Sequence, residues 1–361
     1  MSALRTLLLF GGRSAEHDVS ILSARSVSEA VSPDRIEIIP LCMARDGRFL
    51  TPERSAGVLS GGQALQGDAD FSFESWVRTN PFDIAFPLIH GTGGEDGALQ
   101  GYLDTLGIPY VGSGVTASAV GMDKVHMKQA FAAAKLPLVD HVPVLEQEWK
   151  HERERVTRTT SNALRLPYFV KPANGGSSVG VTKVKREREL DEAMKHAFRF
   201  DDRVLIERGV DARELEVAVL GNERPEASVV GEIIAGREFY DYADKYVESG
   251  SQLLIPAKLP PSRADEVRRL ALGAFKAIGA AGYARVDFFL EKGTNRLYLN
   301  EINTIPGFTR ISMYPKLWEA SEMRYPRLIE TIVTLGLERS RARSERGESM
   351  MRWFDEVAPL S

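Results

Sequence analysis

Hydrophobic runs in the first third of the chain alternate with a stretch of helical periodicity. The short apolar runs, which are typical of buried strands, are residues 4–10, 36–41 and 82–89. Residues 19–31 between the first two runs have the spacing of a helix. Strands that alternate with helices predict a parallel sheet, whose ligands usually bind beyond the carboxyl ends of the strands. The third run leads directly into residues 90–97, HGTGGEDG, a glycine-rich and acidic loop placed to meet a ligand.

Beyond residue 168 the pattern changes to short strands with hairpin-like spacing. Two helical stretches, 187–199 and 263–280, lie among them. This arrangement predicts α+β domains with antiparallel sheets. The predicted strands are residues 168–170, 180–184, 204–207, 214–220, 229–234, 284–290 and 296–300.

Other segments have a weaker pattern. Residues 57–70 predict a surface excursion, 112–123 a connection into a second domain, and 151–165 a solvated helix. The charged stretch 338–352 is either a final helix or a mobile tail. Its apolar end, residues 350–354, either packs back on the molecule or meets a partner subunit.

Composition narrows the class of protein. The 361 residues are 43% hydrophobic and 27% charged, which is ordinary for a globular protein and enough for two or three domains. A net charge of −4 predicts no general attraction to nucleic acid or to an anionic membrane, although a local basic pocket is still allowed. No apolar stretch has the length of a signal or membrane segment. The single cysteine, Cys42, excludes internal disulfides and fits a reducing cytoplasm.

A lysine followed by a glycine- and serine-rich loop is the first candidate for chemistry. The usual phosphate-binding patterns, GxxxxGK[ST] and a full GxGxxG after the first strand, do not occur. Residues 170–180 instead read VKPANGGSSVG, in which Lys171 leaves a predicted strand. Glycines let backbone N–H groups converge on anionic oxygens, and the lysine adds positive charge. The loop is therefore either a lid over phosphates or a flexible hairpin with an incidental lysine.

The second candidate is a pair of acidic strand segments. Side chains two residues apart share one face of a strand, so Arg285 lies beside Asp287 and Glu301 beside Asn303. Both pairs interrupt apolar runs, and buried carboxylates are costly without a compensating cation. Oxygen ligands on adjacent strands favour Mg²⁺ together with substrate phosphates. The alternative is a buried Arg–Asp salt bridge with an acid on an edge strand.

With these two features the chain resembles the ATP-grasp superfamily and, within it, the D-alanine–D-alanine ligases. The resemblance extends from about residue 7 to about residue 337, and its motifs occur in family order. They are residues 16–20, 90–97, 171–180, 245–246, 285–287 and 301–307.

The resemblance implies an α/β and α+β architecture with ATP held between two α+β domains. We expect an N-terminal Rossmann-like, parallel-sheet domain at residues 1–122. A central ATP-grasp subdomain would span 123–208, and a C-terminal one 209–361. Residues 239–250, polar and ending in glycine, are the candidate lid loop.

The resemblance also implies how ATP and two Mg²⁺ (or Mn²⁺) ions would be held. Lys124 and Lys171 would contact the phosphates, under the loop that contains Ser178. Glu207 and Glu214 would face the ribose and adenine. The remaining implied ligands are Lys245 for ATP, and Asp287, Glu301 and Asn303 for the metal ions.

For the two D-alanine molecules the resemblance implies a second set of residues. Glu16 would bind the ammonium group of the first, with His90 nearby, and Ser312 would help to hold the carboxylate of the second. Arg285 and the backbone N–H of Gly307 would form the oxyanion hole. The remaining implied contact is a hydrogen-bonded triad of Glu16, Ser177 and Tyr246 over the substrate.

Three other functions stay open at this point. A close relative would use D-lactate or D-serine as the second substrate, although Lys245-Tyr246 resembles the dipeptide-forming type. A more distant ATP-grasp ligase would activate a different acid, such as a biotin- or carbamate-handling one. A nucleotide-binding regulatory module would lack turnover. The resemblance implies a homodimer that uses ATP and D-alanine, and the composition predicts a cytoplasmic protein that binds neither nucleic acid nor membrane.

Overall fold

The computed structural model describes residues 3–64, 66–234 and 252–357. Its first sheet is parallel, with strand order β2-β1-β3. Residues 7–10 of the central strand are fully buried, as expected for a parallel strand covered on both faces. This confirms the parallel sheet predicted for the first third of the chain. The strands are β1 (Leu4–Gly11), β2 (Ile36–Met43) and β3 (Ile84–Pro87).

Five helices accompany this sheet and lead out of it. The predicted connection at 112–123 contains a helix, and the predicted excursion at 57–70 begins within the last residues of another; neither helix was predicted from the sequence. Their small and polar residues obscured the helical periodicity, and tertiary packing decided the conformation. The helices are α1 (His17–Ala30), α2 (Pro52–Leu59), α3 (Phe73–Thr79), α4 (Ala98–Thr105) and α5 (Val115–Met122).

The second sheet is antiparallel, with order β4-β7-β5-β6. Helix α6 (Lys124–Ala133) precedes this sheet. The hydrophobic core of the sheet is completed by the helix at Leu190–Ala197. The elements are β4 (His141–Leu145), α7 (Glu146–His151), α8 (Arg153–Ala163), β5 (Tyr168–Pro172), β6 (Thr182–Val184), a 3₁₀ turn (Glu187–Glu189), α9 (Leu190–Ala197) and β7 (Arg203–Arg208).

The third sheet is also antiparallel, with order β10-β9-β8-β11-β12. Both antiparallel sheets confirm the α+β prediction. The elements are β8 (Ala212–Gly221), β9 (Glu226–Ile234), β10 (Gln252–Leu254), α10 (Pro261–Ala277), β11 (Gly282–Glu291), β12 (Leu297–Asn303), α11 (Met313–Glu319) and α12 (Tyr325–Val357).

Helix α12 continues through the charged stretch predicted as either a helix or a tail. Its apolar end does not pack back on the body. The side chains of Met350, Met351, Trp353 and Phe354 are each about half exposed or more. Within the described ranges, no helix combines the length and the apolar character that crossing a bilayer requires.

One hydrophobic cluster joins the first and third sheets. It includes Phe86 of β3, Tyr283 of β11, Phe308 before α11 and Tyr314 within α11, all fully buried. We keep the boundaries 1–122, 123–208 and 209–361 as a proposal. Each described sheet lies within one of these ranges, while residues of the third range also pack on the first sheet.

Candidate active site

A cleft of about 890 Å³ is lined by residues of all three sheets and their loops. Every described residue that the sequence singled out for chemistry lies on its wall. Lys245, Tyr246 and the candidate lid at 239–250 lie outside the described residues. The predicted residues on the wall are Glu16, His90, Lys124, Lys171, Ser177, Ser178, Glu207, Glu214, Arg285, Asp287, Glu301, Asn303, Gly307 and Ser312.

Three carboxylates lie side by side across the third sheet. The strand register places Asp287 opposite Glu216 on one side and opposite Glu301 on the other. The Arg285 guanidinium donates to both oxygens of Asp287 at 2.7 Å, and its Nε lies 3.0 Å from Glu216 Oε2. Burial lowers the pKa of Arg285, but the charges of Asp287 and Glu216 outweigh that effect and raise it. Arg285 therefore stays charged and compensates the acids.

The buried Arg–Asp salt bridge of the alternative interpretation is thus present. Asp287, Glu301 and Asn303 nevertheless offer carboxylate and amide oxygens on adjacent strands, which is the donor chemistry that Mg²⁺ and Mn²⁺ prefer. Asn303 Nδ2 donates to Asp287 Oδ2 at 3.1 Å. Among the described residues, no three His, Cys, Asp or Glu side chains are spaced as metal ligands. The chemistry of this donor set fits the metal.

Lys124 begins α6, and the Asp123 side chain caps that helix. Asp123 Oδ1 accepts from the N–H groups of Val125 and His126 at 2.9 and 3.0 Å. The Lys124 ammonium donates to the carbonyl of Gly175 at 2.6 Å, and so meets the glycine-rich loop. Burial lowers the pKa of Lys124, and the negative charge of Glu301, which raises it, offsets this effect only in part. The capped helix end thus holds a positive charge at the mouth of the loop.

Lys171 donates to Glu207 Oε1 at 3.0 Å, and both side chains line the cleft. On its other side, Glu207 Oε2 lies 2.8 Å from Nζ of Lys128. Burial by itself raises the pKa of Glu207. The two lysine charges more than reverse this, and the pKa falls to about 2. The carboxylate is therefore ionised at neutral pH.

The loop after Lys171 reaches the first sheet through Ser177, whose hydroxyl donates to Glu16 Oε1. Ser177 and Ser178 both have positive φ, 50° and 59°, which is uncommon for residues other than glycine and costs conformational energy. A Cβ at Gly176 would lie 3.1 Å from Glu16 Oε2. Glycine at this position therefore allows the close approach, and two members of the predicted triad are in contact.

His90 is buried at the carboxyl end of the first sheet. Its Nδ1 lies 3.2 Å from Glu95 Oε1 and 3.0 Å from the carbonyl of Ile305, and its Nε2 lies 2.9 Å from Ser23 Oγ. Burial lowers the pKa of His90, but the hydrogen bond and charge of Glu95 outweigh it and raise the pKa. The ring thereby connects the first sheet to the segment that carries Gly307.

That segment also carries Ser312, the residue before α11. Ser312 Oγ accepts from the N–H of Thr309 at 3.1 Å and lies 2.7 Å from the Thr309 hydroxyl. The N–H of Phe308 donates to Ser23 Oγ at 3.3 Å. These contacts hold residues 305–312 against α1.

The sequence interpretation assigned no role to three residues that the structure ties to this site. Glu95 binds His90, and the only sequence signal for it was its position within the 90–97 motif. Glu216 binds Arg285, and its spacing of two from Glu214 indicated a shared strand face. Lys128 binds Glu207, and its spacing of four from Lys124 indicated a shared helix face.

Two family models match the chain. The model described as "D-ala D-ala ligase N-terminus" matches residues 5–113, and "D-ala D-ala ligase C-terminus" matches residues 130–334. The chain belongs to the D-alanine–D-alanine ligase family. This confirms the family resemblance and the ATP-grasp fold.

Similar members of this ligase family cover nearly the whole chain. A D-alanine–D-alanine ligase of Thermoanaerobacter sp. (strain X514) is 46% identical over 352 residues, covering 94% of this chain and 98% of the relative. One from Halothermothrix orenii is 45% identical over 342 residues, covering 94% and 99%.

Solved structures of ligases are also similar to this chain. The D-alanine–D-alanine ligase of Coxiella burnetii has a TM-score of 0.82 and 34% identity, with both chains fully covered. The VanG D-Ala:D-Ser ligase of Enterococcus faecalis has a TM-score of 0.80 and 29% identity, covering 93% of this chain and 100% of that one.

Proposed function

We propose that this ATP-dependent ligase joins two D-alanine molecules through D-alanyl phosphate. The products are D-alanyl-D-alanine, ADP and phosphate, and the dipeptide serves peptidoglycan synthesis. The observation that carries the proposal is the single cleft in which two lysines, a row of carboxylates and Arg285 meet. Relatives with 42–46% identity over most of the chain bear the D-alanine–D-alanine ligase name.

The first step brings negative groups together, because a carboxylate attacks the γ-phosphorus of ATP. Lys124 and Lys171 are the cations placed to compensate this charge, and positioning dominates catalysis in such transfers. Ser178 lies in the loop proposed to cover the phosphates. Glu207 and Glu214 line the cleft where we place the adenine and ribose. Lys245, outside the described residues, is proposed as a further ATP contact.

Asp287, Glu301 and Asn303 are the residues proposed to hold two Mg²⁺ or Mn²⁺ ions. When bound, the ions neutralise charge on the phosphates. Arg285 remains beside them as the cation of the second step.

In the second step the amine of the second D-alanine attacks the acyl phosphate and creates a tetrahedral oxyanion. Arg285 and the N–H of Gly307 are proposed to stabilise it, and a donor of this kind typically contributes about 3 kcal/mol. Glu16 and His90 would hold the first substrate, and Ser312 the carboxylate of the second.

Acyl phosphates hydrolyse readily, so the cleft must exclude water during the reaction. We propose that the lid at 239–250 does so, with Tyr246 completing the triad with Glu16 and Ser177. Tyr246→Phe is expected to slow turnover while ATP still binds, as measured by steady-state kinetics and nucleotide titration. Unchanged turnover would count against the triad.

Phosphate release from ATP tests the proposed reaction directly. We expect release that depends on D-alanine, with L-alanine as the stereochemical control. Supplying D-alanine, D-serine or D-lactate as acceptor then identifies the second substrate. Preferential use of D-serine would place this chain with the similar D-Ala:D-Ser ligase structure, and preferential use of D-lactate would also refute our choice.

Two substitutions separate a ligase from a regulatory nucleotide-binding module. Asp287→Asn is expected to abolish Mg²⁺-dependent turnover in a protein that still folds, as measured by circular dichroism. Lys171→Ala is expected to weaken nucleotide binding, measured by titration calorimetry. A module without turnover would tolerate the first change, and an unaltered affinity after the second would reject the phosphate role.

We also propose that the ligase is a cytoplasmic homodimer that binds neither membrane nor nucleic acid. The family resemblance supports the dimer, and the single cysteine and the net charge of −4 support the remainder. Sedimentation equilibrium at micromolar concentration measures the oligomeric state, and a monomer at all concentrations would contradict the proposal.

A further inference from the structure

A buried lysine lies directly behind the nucleotide side of the cleft. Lys128 projects from α6 and is 1% exposed. Its Nζ lies 2.8 Å from Glu207 Oε2, and both side chains of this ion pair are almost completely buried. Removing two charges from water is costly, and an apolar pair of similar volume is often at least as stable. A contribution to the stability of the fold therefore does not explain well why a lysine occupies this buried position.

The Glu207 carboxylate is held between two ammonium groups with different surroundings. Lys171 binds Oε1 at 3.0 Å and lines the cleft, with 15% of its side chain exposed. Lys128 binds Oε2 and is not among the residues that line the cleft. Lys128 therefore cannot reach a nucleotide there and can act on one only through Glu207.

The proposed function places Lys171 at the phosphates of ATP. An ammonium has three N–H donors, and those that turn to phosphate oxygens are lost to Glu207. If Lys171 were the sole partner, the buried carboxylate would then be poorly compensated, which is costly. Lys128 lowers this cost because it pairs with Oε2, whereas Lys171 contacts Oε1.

We propose that Lys128 is a positioning residue of the nucleotide site, which keeps Glu207 charged and paired so that Lys171 is free to bind the phosphates. The inference depends on the proposed function for the role of Lys171. The low pKa of Glu207, at about 2 against the burial that would raise it, agrees with a carboxylate held by both lysines.

The test compares two ligands that differ in phosphate. ATP would bring phosphates to Lys171, whereas adenosine has none. In Lys128→Met we expect the dissociation constant for ATP to rise about tenfold more than that for adenosine, which reports any change at the adenine and ribose side of Glu207. Titration calorimetry on the full chain, with circular dichroism to verify folding, measures both constants.

A surface lysine supplies the matched control. The Lys150 ammonium lies 2.8 Å from the Glu146 carboxylate, and half of the Lys150 side chain is exposed. Lys150→Met therefore eliminates an ion pair of the same length that is in contact with solvent. We expect no change in either constant. Equal weakening of ATP and adenosine in Lys128→Met would indicate a merely structural role and overturn the inference, as would an unchanged constant for ATP.

A second comparison removes the carboxylate. In Glu207→Gln no buried negative charge can be stranded, so adding Lys128→Met is expected to leave the ratio of the ATP and adenosine constants unchanged. A further rise in that ratio overturns the inference, and this comparison decides the matter if Lys128→Met alone does not fold. Failure of the parent protein to bind ATP would instead contradict the proposed function.

Discussion

At the scale of single residues, the site consists of charges that are buried and paired with one another. Arg285 lies between Asp287 and Glu216, and Glu207 lies between Lys128 and Lys171. Removing one partner of a buried pair leaves the other uncompensated, which costs more than the intact pair contributes. Substitutions of single members therefore act on both stability and ligand binding.

The depressed pKa of Glu207 predicts an acid-dependent contribution to stability. The pKa falls from 4.5 to about 2 on folding, so the stabilisation is complete above 4.5 and is lost as the pH falls through the folded value. Glutamine does not titrate, so we expect the difference in free energy of unfolding between the parent protein and Glu207→Gln to shrink as the pH falls from about 5 to about 3. Urea titrations at each pH measure it. A difference that is constant over this range would contradict the pairing.

At the scale of elements, the amino end of α6 is fixed to the strand-to-loop junction after β5. Asp123 caps the helix, and its side chain also lies 2.5 Å from Arg203. The N–H of Lys124 donates to the carbonyl of Ala173 at 2.9 Å. One helix end thus positions Lys124 at the glycine-rich loop.

Asp123→Ala removes this cap close to the site. We expect a loss of stability of about 1–2 kcal/mol from the cap and a severalfold rise in the dissociation constant for ATP, because Lys124 loses its fixed position. Thr51→Ala is the matched control. Thr51 caps α2 by accepting from the N–H of Arg54, away from the cleft.

The control should lower the melting temperature and leave ATP binding unchanged. Thermal unfolding and titration calorimetry of both variants check this. If Asp123→Ala bound ATP as tightly as the control, the end of α6 would not position Lys124.

At the scale of the whole molecule, an aromatic cluster joins the first and third sheets beneath the cleft. Phe308 contacts Phe86, Tyr283 and Tyr314, with ring centroids 6.0, 5.5 and 5.4 Å away. Phe308 also follows Gly307 directly, so packing in this cluster fixes the segment proposed to hold the oxyanion.

Phe86→Ala is expected to cost about 3–5 kcal/mol and to loosen the contact between these sheets. Hydrogen exchange should then accelerate in β1–β3 more than in β8 and β11. Phe275→Ala, in a separate cluster beside the third sheet, is the comparison variant, because Phe275 is equally buried. It should accelerate exchange in the third sheet instead. Identical exchange patterns in the two variants would show that the cluster does not join the sheets.

Much of the fold could be predicted because its signals are local. The apolar runs gave β1 and β2 to within about two residues at each end, the usual precision of such boundaries. Helix α5 was missed because Val115–Met122 consists of small and apolar residues without an amphipathic pattern, so its conformation depends on what packs around it. The pairing of Glu207 was missed for a related reason, since no pattern within its own strand specifies a partner on α6.

The sequence by itself determined the classes of element, the family and the residue types of the site, because periodicity and motif order depend on neighbours along the chain. Only the tertiary structure decided which distant groups meet. Ser177 binds Glu16 from 161 residues away, and His90 reaches the carbonyl of Ile305 from 215 residues away. Such contacts depend on how separate sheets pack against each other. A buried charged side chain is compensated only if this packing brings an opposite charge next to it.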